Sequence, residues 1–220
     1  MSKRTYTDDE LIVRVWDVEE IKKLANKRVY YQANGWRERE LDELWTAQHK
    51  DTASYGANTG FYVGLDSVRK WYVGAAATGD GVLFQHPIST GLVELAGDGQ
   101  TAKGLWYCWG SQAQVLSCGP TASWTWGYYA ADFVREGNRW KIWHLQITND
   151  VDARCGTDWG QPAQPLPELP EFAPLKDFAM PAYSMARPNR VQYSGRRPLT
   201  GSPRIPEPYH TFADTFSYGV

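Results

Sequence analysis

The chain has 220 residues, a length suited to one domain or to one domain with a long extension, which argues against two full-sized domains. Twenty-three Lys and Arg stand against 25 Asp and Glu, a net charge of −2, so no basic surplus exists to neutralise a nucleic-acid backbone or hold an anionic membrane, and neither is expected as a partner. The hydrophobic share of 42% supplies a core, yet no run reaches the roughly 20 apolar residues of a membrane helix.

Residues 8 to 32 open on Asp8-Asp9-Glu10, a capping signal, and then space Leu11, Ile12, Val15, Trp16, Val18, Ile21, Leu24 and Val29 by three and four, which predicts a long amphipathic helix. Asn34-Gly35 ends it, and residues 38 to 48 predict a shorter helix with Leu41, Leu44 and Trp45 on one face. Short β-type runs follow at 52–55 and 60–64, then a brief helix over 65–72 that Asp66 caps. Strands are expected at about 82–95, 101–114, 123–135 and 139–148, with Gly97-Asp98-Gly99 and Glu136-Gly137-Asn138 as hairpin turns. Helices followed by a meander predict an α+β domain with its helices packed on a curved antiparallel sheet.

Beyond residue 160 lie 11 of the 13 prolines, so residues 157–220 read as a Pro-rich irregular C-terminal extension after a domain of residues 1–156. Eight aromatics from Phe172 to Tyr218 predict that it wraps its own subunit or a neighbour's. The three cysteines, Cys108, Cys118 and Cys155, show no CxxC spacing, and the first ten residues are polar. Both features point to a soluble protein of the reducing cytoplasm without disulfides or structural zinc. An aromatic share of 14% exceeds what a core of this size needs, and cavity walls or subunit-interface anchors are its two outlets.

The helical hairpin, short helix and four strands ending in Gly137-Asn138-Arg139-Trp140-Lys141-Ile142 resemble the nuclear transport factor 2-like superfamily, in its SnoaL-like and scytalone dehydratase-like branch, over residues 8 to 152. Gln85-His86 followed by Glu94 is the most specific piece, because it is similar to the interval at which scytalone dehydratases carry a catalytic histidine. The resemblance implies a cone-shaped α+β barrel enclosing one deep pocket, assembled as a homodimer or homotrimer. Its members include dehydratases, cyclases, isomerases, a formaldehyde-eliminating lyase and non-catalytic binding modules.

Period-two alternation puts His86 on the face of Phe84 and Val82, where it acts as a general base or acid or is a buried histidine bonded to a carbonyl. By resemblance, Trp140 and Ile142 face inward, which would carry His144 and Gln146 into the cone with them, His144 as a catalytic histidine or as a structural one bonded to the first helix. The same resemblance turns Asp132, Tyr128 and Ala130 inward, Asp132 serving to orient a histidine, to take a proton, or to pair with Arg28 or Arg135. Tyr30 and Tyr31 end the first helix, so one of them is expected to face the pocket, and Tyr55 is a further phenol of this kind; Tyr31 and Tyr55 are the hydroxyl donors for an oxyanion. Tyr30, Trp106, Trp124, Tyr128 and Gln146 complete the expected substrate walls. His49 and His210 are read as packing or solvent residues.

The sequence has no GxGxxG after a strand, no GxxxxGK[ST], no GxSxG and no HExxH, so nucleotide and serine-hydrolase chemistry lose their usual support. Neither a metal nor another cofactor is expected, since the histidines lie on separate strands without paired spacing. The resulting expectation is a cofactor-independent lyase using acid/base catalysis on a bulky hydrophobic phenolic or steroid-like molecule. The alternatives are an isomerase or cyclase in the same pocket, or a non-catalytic ligand-binding or assembly module.

Overall fold

The computed structural model describes residues 6–74, 82–116, 119–156, 181–193 and 203–220. Helix α1, Asp8–Ala33, starts at Thr7, whose hydroxyl accepts from the Glu10 backbone while the Glu10 carboxylate accepts from the Thr7 backbone, a capping box. The cap is therefore Thr7 rather than the acidic run after it. Helix α2 spans Arg37–Leu44 and α3 spans Leu65–Gly74. The strands are β1 Ser54–Gly56, β2 Gly60–Val63, β3 Leu83–Gln85, β4 Ile88–Leu95, β5 Thr101–Leu116, β6 Gly119–Glu136, β7 Arg139–Arg154 and β8 Met185–Ala186. Among the described residues, no helix is long and apolar enough to cross a membrane.

The three helices pack on one large sheet in the order β3-β5-β6-β7-β1-β2-β8, with β4 also paired to β5, an α+β cone left open. Its long meander is antiparallel, as the turns require; Gly99 and Gly137 take φ of +69° and +61°, which side chains disfavour. One pair departs from the antiparallel expectation. β1 runs parallel to β7, with Tyr55 opposite Leu145, because the connection between them includes α3 and the intervening strands, long enough to return in the same sense.

The contact stripe of α1 runs through Arg14, Asp17, Ile21, Ala25 and Arg28, spaced by three and four. The apolar side chains nearer its start, Ile12, Val15 and Trp16, are instead exposed. Polar anchors decide this rotation. Arg14 donates to the Leu95 and Ala96 carbonyls at 2.8 and 3.0 Å, and Asp17 receives the Trp140 indole at 3.0 Å and pairs with Arg135. Opposite the stripe, the concave face of the sheet contributes Trp106, Tyr129, Phe133, Ile142 and Leu145 to the core.

A bulge in β7 sets which residues reach that face. Phe133 pairs with Ile142 and Asp132 with His144, so Trp143 is an extra residue on β7. Before it, Trp140 and Ile142 face the core; after it, Leu145 and Ile147 do, and His144, Gln146 and Thr148 pass to the convex face. Residues 203–220 pack on that convex face. The Gly97 and Asp98 amides donate to the Tyr209 and His210 carbonyls at 2.9 and 3.0 Å, and Tyr218 and Phe216 pack against Leu105 and Ala130. Residues 181–193 lie at the other edge, where β8 pairs with β2. The expected boundary at residue 157, together with Cys118, Phe172 and Phe178, lies outside the described residues.

Candidate active site

Inside the cone, Arg28 sits seven residues after Ile21 on the α1 stripe and is fully buried. Its Nε donates to Glu40 Oε1 at 3.2 Å, its Nη1 to Gln32 at 2.6 Å and its Nη2 to the Tyr72 hydroxyl at 2.6 Å. Tyr72 in turn donates to Glu40 Oε2 at 2.8 Å. The Arg28 charge is thus balanced by Glu40, with Trp45 Nε1 adding a 3.4 Å bond to the same carboxylate. A buried pair needs such extra hydrogen bonds to offset its desolvation.

Around this pair stand groups that are buried and titratable. Tyr55 stacks on Trp71 at 4.3 Å, and burial raises its phenol to about 12 against the opposing pull of Arg28 and Arg37. Burial likewise raises the Cys108 thiol to about 11 and pushes the Tyr129 phenol well up. The Tyr129 ring lies 5.8 Å from the Arg28 guanidinium, and its hydroxyl is buried without a hydrogen-bond partner. These phenols stay protonated at neutral pH and keep a hydrogen to donate.

His86 enters from the end of β3. Its ring makes an edge contact with Phe84 at 6.0 Å, and it can approach β5 because residue 110 is glycine: a Cβ there would lie 1.8 Å from the Gln85 carbonyl oxygen and 2.8 Å from the His86 ring. Nε2 of His86 is buried and has no hydrogen-bond partner. Desolvation first, then the positive charges of Arg28 and Arg37, push its pKa down to about 4, so the imidazole is neutral at physiological pH. The sign for stability follows. Above the ordinary value near 6.5 both folded and unfolded chains hold neutral His86; below it the unfolded chain binds a proton that the folded chain refuses, and stability is lost as pH falls toward 4. The ceiling is about 3 kcal/mol, less for a ring with partial solvent contact. His86→Gln is therefore expected to lose less melting temperature than the wild type between pH 7 and 4.5; parallel losses would refute the assignment.

The convex face holds a second buried cluster. Asp132 accepts from Lys103 Nζ at 2.6 Å, from the Tyr218 amide at 2.8 Å and from Ser217 Oγ at 3.2 Å, and lies 2.9 Å from His144 Nδ1. The Lys103 ammonium sits among four rings of the C-terminal segment, 4.4 Å from the Phe216 centroid and 4.7 Å from that of Phe212. Ser217 Oγ meets His144 at 3.2 Å through the same Nδ1 that Asp132 contacts. A nucleophile relay needs serine and carboxylate on opposite ring nitrogens, so this Asp-His-Ser group works as an anchor for the C-terminus.

Of the residues expected in the pocket, His86, Tyr55 and Trp106 lie inside the cone. His144, Gln146, Asp132, Tyr128 and Trp124 lie on the convex face, with Trp124 46% exposed. The bulge displaced the first two, and on β6 the inward phase is that of Tyr129, Ala131 and Phe133. Asp132 does contact a histidine, but its ion-pair partner is Lys103 rather than Arg28 or Arg135. Tyr30 points to solvent at 70% exposure. Tyr31 is buried but gives its hydroxyl to Glu43 at 2.6 Å, outside the cluster around Arg28; that bond, with Arg39 and Lys27, holds the Glu43 carboxyl down at about 2. Missing from the expected set were Glu40, Arg37, Tyr72 and Tyr129, and Arg28 was expected only as an ion-pair partner at the rim. Arg28 was detectable, since it falls on the helical spacing of Ile21 and Ala25. Among the described residues, no group of three or more His, Cys, Asp or Glu could hold a metal ion.

Residues 13–146 match the SnoaL-like domain family. No curated protein matches the chain. Solved structures that resemble it include a candidate scytalone dehydratase from Novosphingobium aromaticivorans, at 11% identity and TM-score 0.52, covering 66% of this chain and 92% of that one. A hexachlorocyclohexane dehydrochlorinase, LinA-type3 from Novosphingobium barchaimii, is similar at 15% identity and TM-score 0.52 over 68% and 97% of the two chains. The Kfla4162 protein of Kribbella flavida aligns at 15% identity and TM-score 0.53 over 63% and 94%. At such identities the likeness is one of fold.

Proposed function

The chain belongs to the SnoaL-like domain family, and from that premise we propose that it is a cofactor-independent lyase whose chemistry takes place inside the cone. The observation that carries this reading is the pairing of two buried, unpartnered polar atoms, His86 Nε2 and Tyr129 Oη, both around the buried Arg28. Buried polar groups left without partners cost about 1–3 kcal/mol each, and bound substrate is what would satisfy them.

The neutral imidazole of His86 removes a proton from carbon, and the electron pair forms a double bond as hydroxide leaves the neighbouring carbon. The imidazolium then returns its proton to the leaving hydroxide, releasing water and restoring neutral His86. The O–H groups of Tyr129 and Tyr55 donate to the departing hydroxyl oxygen as negative charge builds on it. Trp71 and Trp106 offer aromatic walls to a flat, hydrophobic, phenolic molecule. Two of the similar structures are named a dehydratase and a dehydrochlorinase, both eliminations.

The test is a panel of β-hydroxylated phenolic and steroidal compounds, assayed for water loss by ultraviolet absorbance after dialysis against a chelator. Turnover that survives dialysis is expected. Turnover that vanishes and returns with one divalent ion would overturn the cofactor-independent mechanism.

A further inference from the structure

Three arginines are buried among the described residues: Arg28, Arg37 and Arg190. Arg28 pairs with Glu40 and Arg190 with Asp150. Arg37 has no carboxylate within ion-pair distance among the described residues, although it is only 8% exposed. Among the described residues its one hydrogen bond is a long one, 3.4 Å from Nη1 to the Tyr72 carbonyl, and its Nε is buried without a partner. The guanidinium lies 4.8 Å from the Tyr72 ring centroid and 5.4 Å from that of Phe84, the aromatic neighbour of His86.

This placement is unfavourable on three counts. A largely buried charge with no counter-ion among the described residues keeps most of its desolvation cost uncompensated. Arg37 is the first residue of α2, where the helix dipole already presents positive charge, and Trp36 before it supplies no side-chain cap. The neighbouring Arg28–Glu40 pair is neutral as a unit and His86 is itself uncharged, so among the described residues around this site Arg37 is a positive charge left unbalanced. Local violations of this kind concentrate where a ligand completes the arrangement.

We propose that Arg37 binds a carboxylate on the substrate, so that the molecule processed in the cone is a hydrophobic aromatic acid. The planar guanidinium fork matches a carboxylate, and a single fork among aromatic rings suits one monoanionic group better than a phosphate, which calls for more donors. The rings of Tyr72 and Phe84 leave the aromatic part of such an acid an apolar surface beside the anion. A bound carboxylate also offsets the positive potential at His86 and makes it a stronger base when substrate is present. The inference rests on the interior being the substrate site.

The probe pair is 4-hydroxycinnamate and its uncharged amide, with binding to the full-length protein at pH 7 followed by calorimetry. The acid is expected to bind about tenfold or more tightly than the amide, the range for a charged hydrogen bond. Arg37→Gln is expected to abolish that preference, while Arg39→Gln, on the exposed side of the same helix, retains it. Arg37→Lys, which keeps the charge and loses the fork, covers the case in which the glutamine variant does not fold, and should show a reduced preference. By nuclear magnetic resonance, the His86 ring should titrate at higher pH with the acid bound, and in free Arg37→Gln as well. Equal binding of acid and amide, no binding of the acid, or an undiminished preference in the Arg37 variants that fold would overturn the proposal. Acid binding without turnover of any compound would leave the anion site standing and remove the lyase reading; turnover of neutral phenols with no competition by the acid would do the reverse.

Discussion

His86→Ala is expected to reduce kcat by about 10² to 10⁴ while leaving the fold intact, the usual cost of removing a general acid or base. The fold should survive because His86 Nε2 makes no hydrogen bond that the substitution would break. The informative control is His144→Ala. His144 is the more thoroughly buried histidine and touches Asp132, Ser217, Trp143 and Phe212, so its loss should lower the melting temperature and leave kcat within a few-fold of wild type. Activity of His86→Ala within about threefold of wild type, or collapse of kcat in a folded His144→Ala, would move the chemistry out of the cone interior.

Asp132→Ala should be among the most destabilising single substitutions in the chain. It leaves the Lys103 ammonium buried and unpaired and removes the acceptor for the Tyr218 amide. Breaking one side of a buried pair costs about 3–5 kcal/mol. For a protein of this size each kcal/mol lowers the melting temperature by roughly 2–4 °C, so a drop of about 10 °C is expected in differential scanning calorimetry. The double variant Asp132→Leu with Lys103→Met should recover much of the loss, since replacing both members of such a pair with apolar groups is often neutral. A drop below about 2 °C in Asp132→Ala would mean that the pair and the C-terminal segment over it contribute little.

Much of the fold could be read directly along the chain. Gly97-Asp98-Gly99 and Gly137 mark hairpin turns because positive φ is costly for other residues, and the runs of three-and-four and two-residue periodicity locate the helices and most strands within a few positions, although the run at 82–95 divides into two strands at His86-Pro87 and the strand from Arg139 continues to Arg154. The interior position of His86 was also legible, since its alternation with Phe84 is local and no bulge intervenes between them.

What the sequence could not carry was the phase of the later strands. Trp140, Ile142, His144 and Gln146 alternate without a break in the sequence, yet the single extra residue at Trp143 sends the first pair to the core and the second pair to the convex face. Alternation has a period of two, so one inserted residue inverts every side chain after it, and a bulge is stabilised by what lies across the sheet. Here that is the stacking of Trp143 on His144 and the docking of Phe212 and Ser217 from residues more than sixty positions away. The partners of Arg28, Lys103 and Asp132 were decided in the same way. That a buried charge must be offset follows from its residue type, but how deeply it is buried and which opposite charge offsets it depend on segments that only the folded chain brings together.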